Sequence, residues 1–189
     1  MLTLSSQKST ELNVIILPGH LDFSQDVAAL NYKYLIEHLP VDKLLNGFVK
    51  IPYATEQISN IIELNEIVVA QCDNQIIGYY LIGGKSKCDS LTYQKLAAER
   101  LMKNKAIDKT RIGYGIQVCI DEPFQNNGLF ASMLEHLVQN VAVKYDYLVC
   151  SVSDENVRSL KIHLKSGWEV FERSGGNNIL IYKITTLGV

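Results

Sequence analysis

The chain has 189 residues, 47% of them hydrophobic and 20% charged, with a net charge of −2 at pH 7 and a pI near 6.1. Such values describe a soluble protein built around one core, and they exclude a general nucleic-acid binder, which needs a large positive field. No segment holds the roughly 18 apolar residues of a membrane span, and the opening MLTLSSQKST lacks the apolar stretch of a signal peptide, so a cytoplasmic protein with no membrane partner is expected. Cys72, Cys88, Cys119 and Cys150 are widely spaced with no C-x-x-C pair. They read as small apolar residues, with neither a metal site nor a disulfide framework.

In chain order, residues 1–11 are polar, and Asn13–Leu17 (NVIIL) is a short strand closed by PGH. Val27, Leu30, Tyr34 and Leu35 recur at helical spacing from about Ser24 to His38, where Pro40 closes the helix. Thr55 is placed to cap a second helix carrying Ile58, Ile61 and Ile62. Glu66–Cys72 and Gln75–Ile82 flank Asp73-Asn74 and predict a hairpin. Residues 83–110 open on Gly83-Gly84 and run into LTYQKLAAERLMKNK, an insertion or lid within a single domain spanning 1–189. Arg111–Asp121 alternates, with Ile112, Tyr114, Ile116, Val118 and Ile120 on one face and small residues on the other. A long amphipathic helix follows through Leu129, Phe130, Met133, Leu134, Leu137, Val138 and Val141. Then come a strand over Tyr145–Val152, a helix over Asp154–Ser166 ended by Gly167, and a last strand over Ile179–Ile184. The order predicts an α/β (α+β) fold: a single mixed sheet of about six to seven strands flanked by helices.

Chemistry concentrates at two places. In VCIDEPFQNNGLFASML a strand stops, a helix starts, and QNNG forms the joint. With Asn127 as cap, the first turn offers N–H groups to an anion, and Gly128, lacking a Cβ, lets phosphate oxygens approach the backbone. The plainer alternative is a turn, which also favours Asn and Gly. Further on, Asn156, Ser159 and His163 form one polar stripe of a helix beside an apolar stripe of Val157, Leu160 and Leu164. Asn156 and Ser159 could hydrogen-bond an extended ligand there. His163 has an intrinsic pKa suited to proton transfer, or is simply a satisfied histidine at a helix edge.

Together the two segments resemble the GNAT acetyltransferase superfamily. Gln125 and Gly128 fill defined positions of its Q/R-x-x-G-x-G/A loop. Asn156, Ser159, Ile162, His163, Lys165, Gly167 and Trp168 meet the later N-x-x-A/S-x-x-[apolar]-Y/H-x-K-x-G-[aromatic] pattern. The likeness covers residues 112–184, with the hairpin as the family's second and third strands; residues 13–62 fit only in element order. Phe130 departs from the pattern, which usually has Gly or Ala there, and is expected to turn into the core.

The resemblance implies acetyl-CoA as co-substrate, no metal, and direct transfer of acetyl to a primary amine on a small molecule or peptide, by a monomer or homodimer. It implies that the pantetheine arm bonds Val118, Cys119 and Ile120, and that the pyrophosphate sits on Gln125, Asn126, Asn127, Gly128, Leu129, Phe130 and Ala131. His163 stands where relatives often carry a tyrosine that protonates the leaving thiolate. Glu122 and Asp121 are the nearest carboxylates for a general base, or else surface acids at a strand end. Two rivals stand beside this reading: a CoA-binding or regulatory module without catalysis, and an interaction protein.

Overall fold

A computed structural model describes residues 13–83, 99–100, 103 and 108–185. The expected hairpin forms from β2 (Ile67–Cys72) and β3 (Gln75–Ile82). Its turn residues Asp73 and Asn74 both have positive φ, 48° and 64°, which these two residue types tolerate. β1 (Val14–Pro18) pairs antiparallel with β2 on the outer side.

Helices α1 (Ser24–Lys33) and α2 (Thr55–Glu63) cover one face of this sheet, burying Val27, Leu30, Ile58 and Ile61 against Val69, Tyr79 and Leu81. α1 ends at Lys33 rather than reaching His38, because the next residues pair elsewhere. Val49 donates its N–H to the Tyr34 carbonyl (2.9 Å), and Ile36 donates to Val49 (3.0 Å). Thr55 is the first residue of α2 rather than its cap; Gln57 reaches back to accept the Ala54 N–H (3.0 Å).

The stretch expected as one strand, Arg111–Asp121, breaks at Gly115, whose φ is +79°. β4 (Ile112–Tyr114) pairs in parallel with β6 (Tyr147–Ser153), whereas β5 (Ile116–Ile120) pairs antiparallel with β3. The apolar stripe divides at the same point. Ile112 and Tyr114 pack with Tyr147, Val149 and Ile181, while Ile116, Val118 and Ile120 join the core under the third helix. Among the described residues the strands form two sheets of four each in place of one, β1-β2-β3-β5 and β4-β6-β8-β7.

That third helix, α3 (Leu129–Val141), holds the two sheets together. Its buried Met133, Leu134, Leu137 and Val141 share a cluster with Ile77 and Tyr80 of the first sheet and Leu148 and Leu180 of the second. Each fully buried aliphatic side chain contributes about 1.5–3 kcal/mol relative to exposure. α4 (Val157–Lys165) starts later than expected because Asn156 is its cap, accepting the Ser159 N–H (3.2 Å), and Gly167 at φ +89° ends it. β7 (Glu169–Ser174) was not foreseen. It is a largely exposed edge strand, joined to β8 (Asn177–Lys183) by Gly175 and Gly176, both at positive φ.

Most of the expected insertion at 83–110 lies outside the described residues; from it, Arg100 forms an ion pair with Glu172 of β7. Cys72, Cys119 and Cys150 are buried free thiols, and Cys88 lies outside the described residues. Among the described residues no helix is long and apolar enough to cross a membrane.

Candidate functional site

Beyond Gly115 the two sheets part, and β5 is left as an edge strand facing a cleft of about 690 Å³. The β3–β5 register decides which backbone groups face it. Asp121 donates its N–H to the Ile77 carbonyl (2.8 Å), and the pairs Tyr79↔Cys119 and Leu81↔Gln117 follow in steps of two. Gln117, Cys119 and Asp121 therefore direct their backbone groups to β3, while those of Val118 and Ile120 point away from it, toward the opening. The Ile120 carbonyl takes a hydrogen bond from Gln125 Nε2 (2.8 Å), and Gln125 Oε1 is buried with no partner among the described residues.

At one end of the cleft lies the N-terminus of α3. Gly128 is itself the N-cap, in the left-handed region, and no side chain caps the helix; Ala131 donates to the Gly128 carbonyl (3.1 Å), which leaves the Leu129 and Phe130 N–H groups without an intrahelical acceptor. A Cβ built on Gly128 would meet nothing within 4 Å. The expected cap, Asn127, points back instead, with Nδ2 donating to Phe124 O at 3.5 Å. Arg158, Lys161 and Lys165 of α4 line the same cleft. Sequence reading named Lys165 only as part of the second pattern and passed over Arg158 and Lys161, although the spacing of the three along one helix was visible. Arg158 also donates to Asn126 Oδ1 (2.9 Å), joining α4 to the loop before α3.

The two stripes of α4 depart from expectation at their ends, while Leu160 still packs against the core. Asn156 and His163 are buried, whereas Val157 is 64% and Leu164 43% exposed. Asn156 Nδ2 donates to the Phe48 carbonyl (3.0 Å), bringing residues 46–49 across the cleft wall. His163 packs edge-on between Phe130, which turns into the core, and Trp168. Burial lowers its pKa to about 4, although the bond from its Nδ1 to the Ser159 carbonyl (2.7 Å) works the other way. At neutral pH the ring is therefore uncharged, with its single proton on Nδ1 and committed to Ser159. That arrangement does not favour the proton-donor role expected of it.

The two acids after β5 are also occupied. Asp121 Oδ1 accepts from Lys33 Nζ (2.5 Å) and from the Tyr34 hydroxyl (2.6 Å). Burial pushes this carboxyl up, but those two bonds outweigh it and hold the group below the usual carboxylate range. Glu122, expected as a base, pairs with Lys43 (2.9 Å) and accepts from Asn46 Nδ2 (3.0 Å). It lines neither this cleft nor the smaller one beside it. Both acids tie α1 and the turn after it to the end of β5.

Of the residues expected to hold the coenzyme, those of 118–120, 125–131 and 156–159 line the large cleft together, Asn127 excepted. His163 lines the smaller one, which shares Phe48, Val49, Val118, Asn156 and Ser159 with its neighbour. Among the described residues no group of three or more His, Cys, Asp or Glu is placed to hold a metal ion.

No family model and no curated protein sequence matches this chain. Solved structures do. The acetyltransferase of the GNAT family from Streptococcus pneumoniae superposes with a TM-score of 0.62 at 14% identity, covering 92% of this chain and 100% of its own. The Salmonella typhimurium protein YncA, solved with its cofactor acetyl-CoA, gives 0.61 at 12%, covering 94% and 97%. The PaiA N-acetyltransferase from Thermoplasma acidophilum, in complex with coenzyme A, gives 0.63 at 12%, covering 91% and 99%. Two parted sheets, bridged by one long helix and joined through a broken central strand, give this chain the fold of the GNAT acetyltransferases.

Proposed function

We propose that the protein is an N-acetyltransferase that takes acetyl from acetyl-CoA and passes it to a primary amine. One observation supports this most strongly: the open edge of β5 leads, within one continuous cleft, to the uncapped N-terminus of α3 and the cations of α4. A peptide-like arm ending in a pyrophosphate matches that sequence of groups. Val118 and Ile120 would bond the arm as a surrogate strand, and the α3 N-terminus would take the pyrophosphate. Gly128 lets the anion come close, and Arg158, Lys161 and Lys165 balance its charge. The YncA structure, solved with acetyl-CoA, and the PaiA structure, in complex with coenzyme A, support the same ligand.

Acetyl-CoA supplies an activated acyl group as a thioester. The acceptor nitrogen attacks the carbonyl carbon, a backbone N–H on the open edge of β5 stabilises the oxyanion, and collapse of the intermediate breaks the C–S bond, giving the amide and the CoA thiolate, which takes its proton from water. Glu122 is held by Lys43, so the amine loses its proton to water rather than to that carboxylate. His163 serves as a positioning residue: it fixes the Ser159 turn of α4 and backs Phe130 against the cleft.

Acetyl-CoA binds only the folded state in this scheme and must raise the melting temperature. Gly128→Glu puts bulk and negative charge where the pyrophosphate should lie, and we expect the Kd for acetyl-CoA, read by calorimetry, to rise roughly 10²-fold. A folded Gly128→Glu protein that binds like the parent overturns the assignment.

A further inference from the structure

The smaller cleft, about 270 Å³, opens beside the large one, and the two share wall residues on β5 and α4. It is below the size that takes drug-like ligands. If the thioester reaches along β5, this is where an acceptor meets it. Among the described residues its wall carries hydroxyl and amide groups from Gln117, Ser151, Ser153 and Asn177, and a single charged side chain, Lys50. Among the described residues no carboxylate lines it, and the acids at the end of β5 are bound elsewhere: Asp121 by Lys33 and Tyr34, Glu122 by Lys43 and Asn46.

Among the described residues Lys50, Lys161, Lys165 and Lys183 have no acidic partner, and of these only Lys50 lines the smaller cleft. Lys33, Lys43 and Lys144 each have an acidic partner, Asp121, Glu122 and Glu66. Among the described residues no carboxylate pairs with Lys50, whose Nζ stands 5.7 Å from the centre of the Phe48 ring. A polyamine or a lysine-rich peptide entering here would meet a like charge and no counter-charge. An amine carrying its own anion would find the reverse. Gln117 Nε2 is engaged by the Tyr79 hydroxyl (2.9 Å), which leaves its carbonyl oxygen to accept from an amine N–H.

We propose that the acceptor is a small amine that also carries a carboxylate, and that Lys50 pairs with that carboxylate. The proposal rests on the acetyltransferase reading above and narrows it to a substrate class. The test uses matched acceptors, a series of γ-amino acids beside the corresponding γ-amino amides, in which the amine is the same and only the charge differs. Thiol release should show kcat/KM at least tenfold higher for the acids. Lys50→Gln should bring the two series together while KM for acetyl-CoA stays within about twofold, and Lys50→Arg should keep the preference. Amides or diamines used as well as the acids overturn the proposal, as does a Lys50→Gln enzyme with its preference intact. Transfer to neither series, with acetyl-CoA binding intact by calorimetry, overturns the acceptor class alone. Failure to bind acetyl-CoA at all removes the acetyltransferase reading and this proposal with it.

Discussion

Helices α3 and α4 both open onto the cleft, yet they bury opposite kinds of surface. α3 turns in Met133, Leu134, Leu137 and Val141 and is held by hydrophobic burial. α4 turns in Asn156 and His163 and leaves Val157 and Leu164 half in water. Its attachment is directional: an amide to the Phe48 carbonyl, a ring set between Phe130 and Trp168, a cap on its own first turn. A helix that gives up apolar burial for aimed polar contacts marks the part of the molecule where binding competes with stability. α3 is the frame and α4 is the working surface.

Three measurements would sharpen or break that contrast. Leu137→Ala, at a fully buried position of α3, should cost about 2–5 kcal/mol in urea denaturation, since a cavity is left between the two sheets. A loss below about 1 kcal/mol would mean that α3 is not the frame.

His163 gives the next effect. Burial holds the folded imidazole at about 4, against about 6.5 in the unfolded chain. Below pH 6.5 the unfolded chain takes up a proton that the folded one refuses, so this contribution is complete above that pH and declines as the pH drops toward 4, by on the order of 3 kcal/mol. His163→Phe should flatten the stability profile over that window and keep neutral-pH turnover within about tenfold. A roughly 10²-fold fall in turnover, with acetyl-CoA affinity kept, would restore His163 as the proton donor. The smallest effect belongs to Leu164→Ala on α4, expected below about 1 kcal/mol by the same denaturation experiment because the side chain is already 43% exposed.

Much of this architecture was legible in the sequence, and the misses have physical causes. The hairpin showed itself because Asp73-Asn74 suits a turn with two positive φ values, and α3 because its apolar stripe is unbroken. The Gly115 break was hidden, since Ile112 and Tyr114 keep the same parity as Ile116 and Val118; only a backbone dihedral moves them to different faces. β7 carries too little buried surface to show a strand pattern, although Gly175-Gly176 was a usable hairpin signal.

At the site, the loop before α3 and the stripe of α4 could be read from spacing and resemblance. Separating Val118 and Ile120 from Cys119 required the register against β3, which no single strand contains. Phe48 and Lys50 come from a stretch without regular periodicity, and the bridge between Leu35 and Val49 with the Asn156 bond carries that stretch to the clefts.

The broken central strand has a consequence for how the chain folds. Residues 112–114 complete one sheet and 116–120 the other, with a single glycine between them. Neither sheet owns all of its strands, so one half cannot come apart without pulling on the segment that closes its neighbour. The two halves form one cooperative unit rather than a pair of independently opening foldons. The gap between them starts at Gly115 and is thus built into the covalent path of the chain.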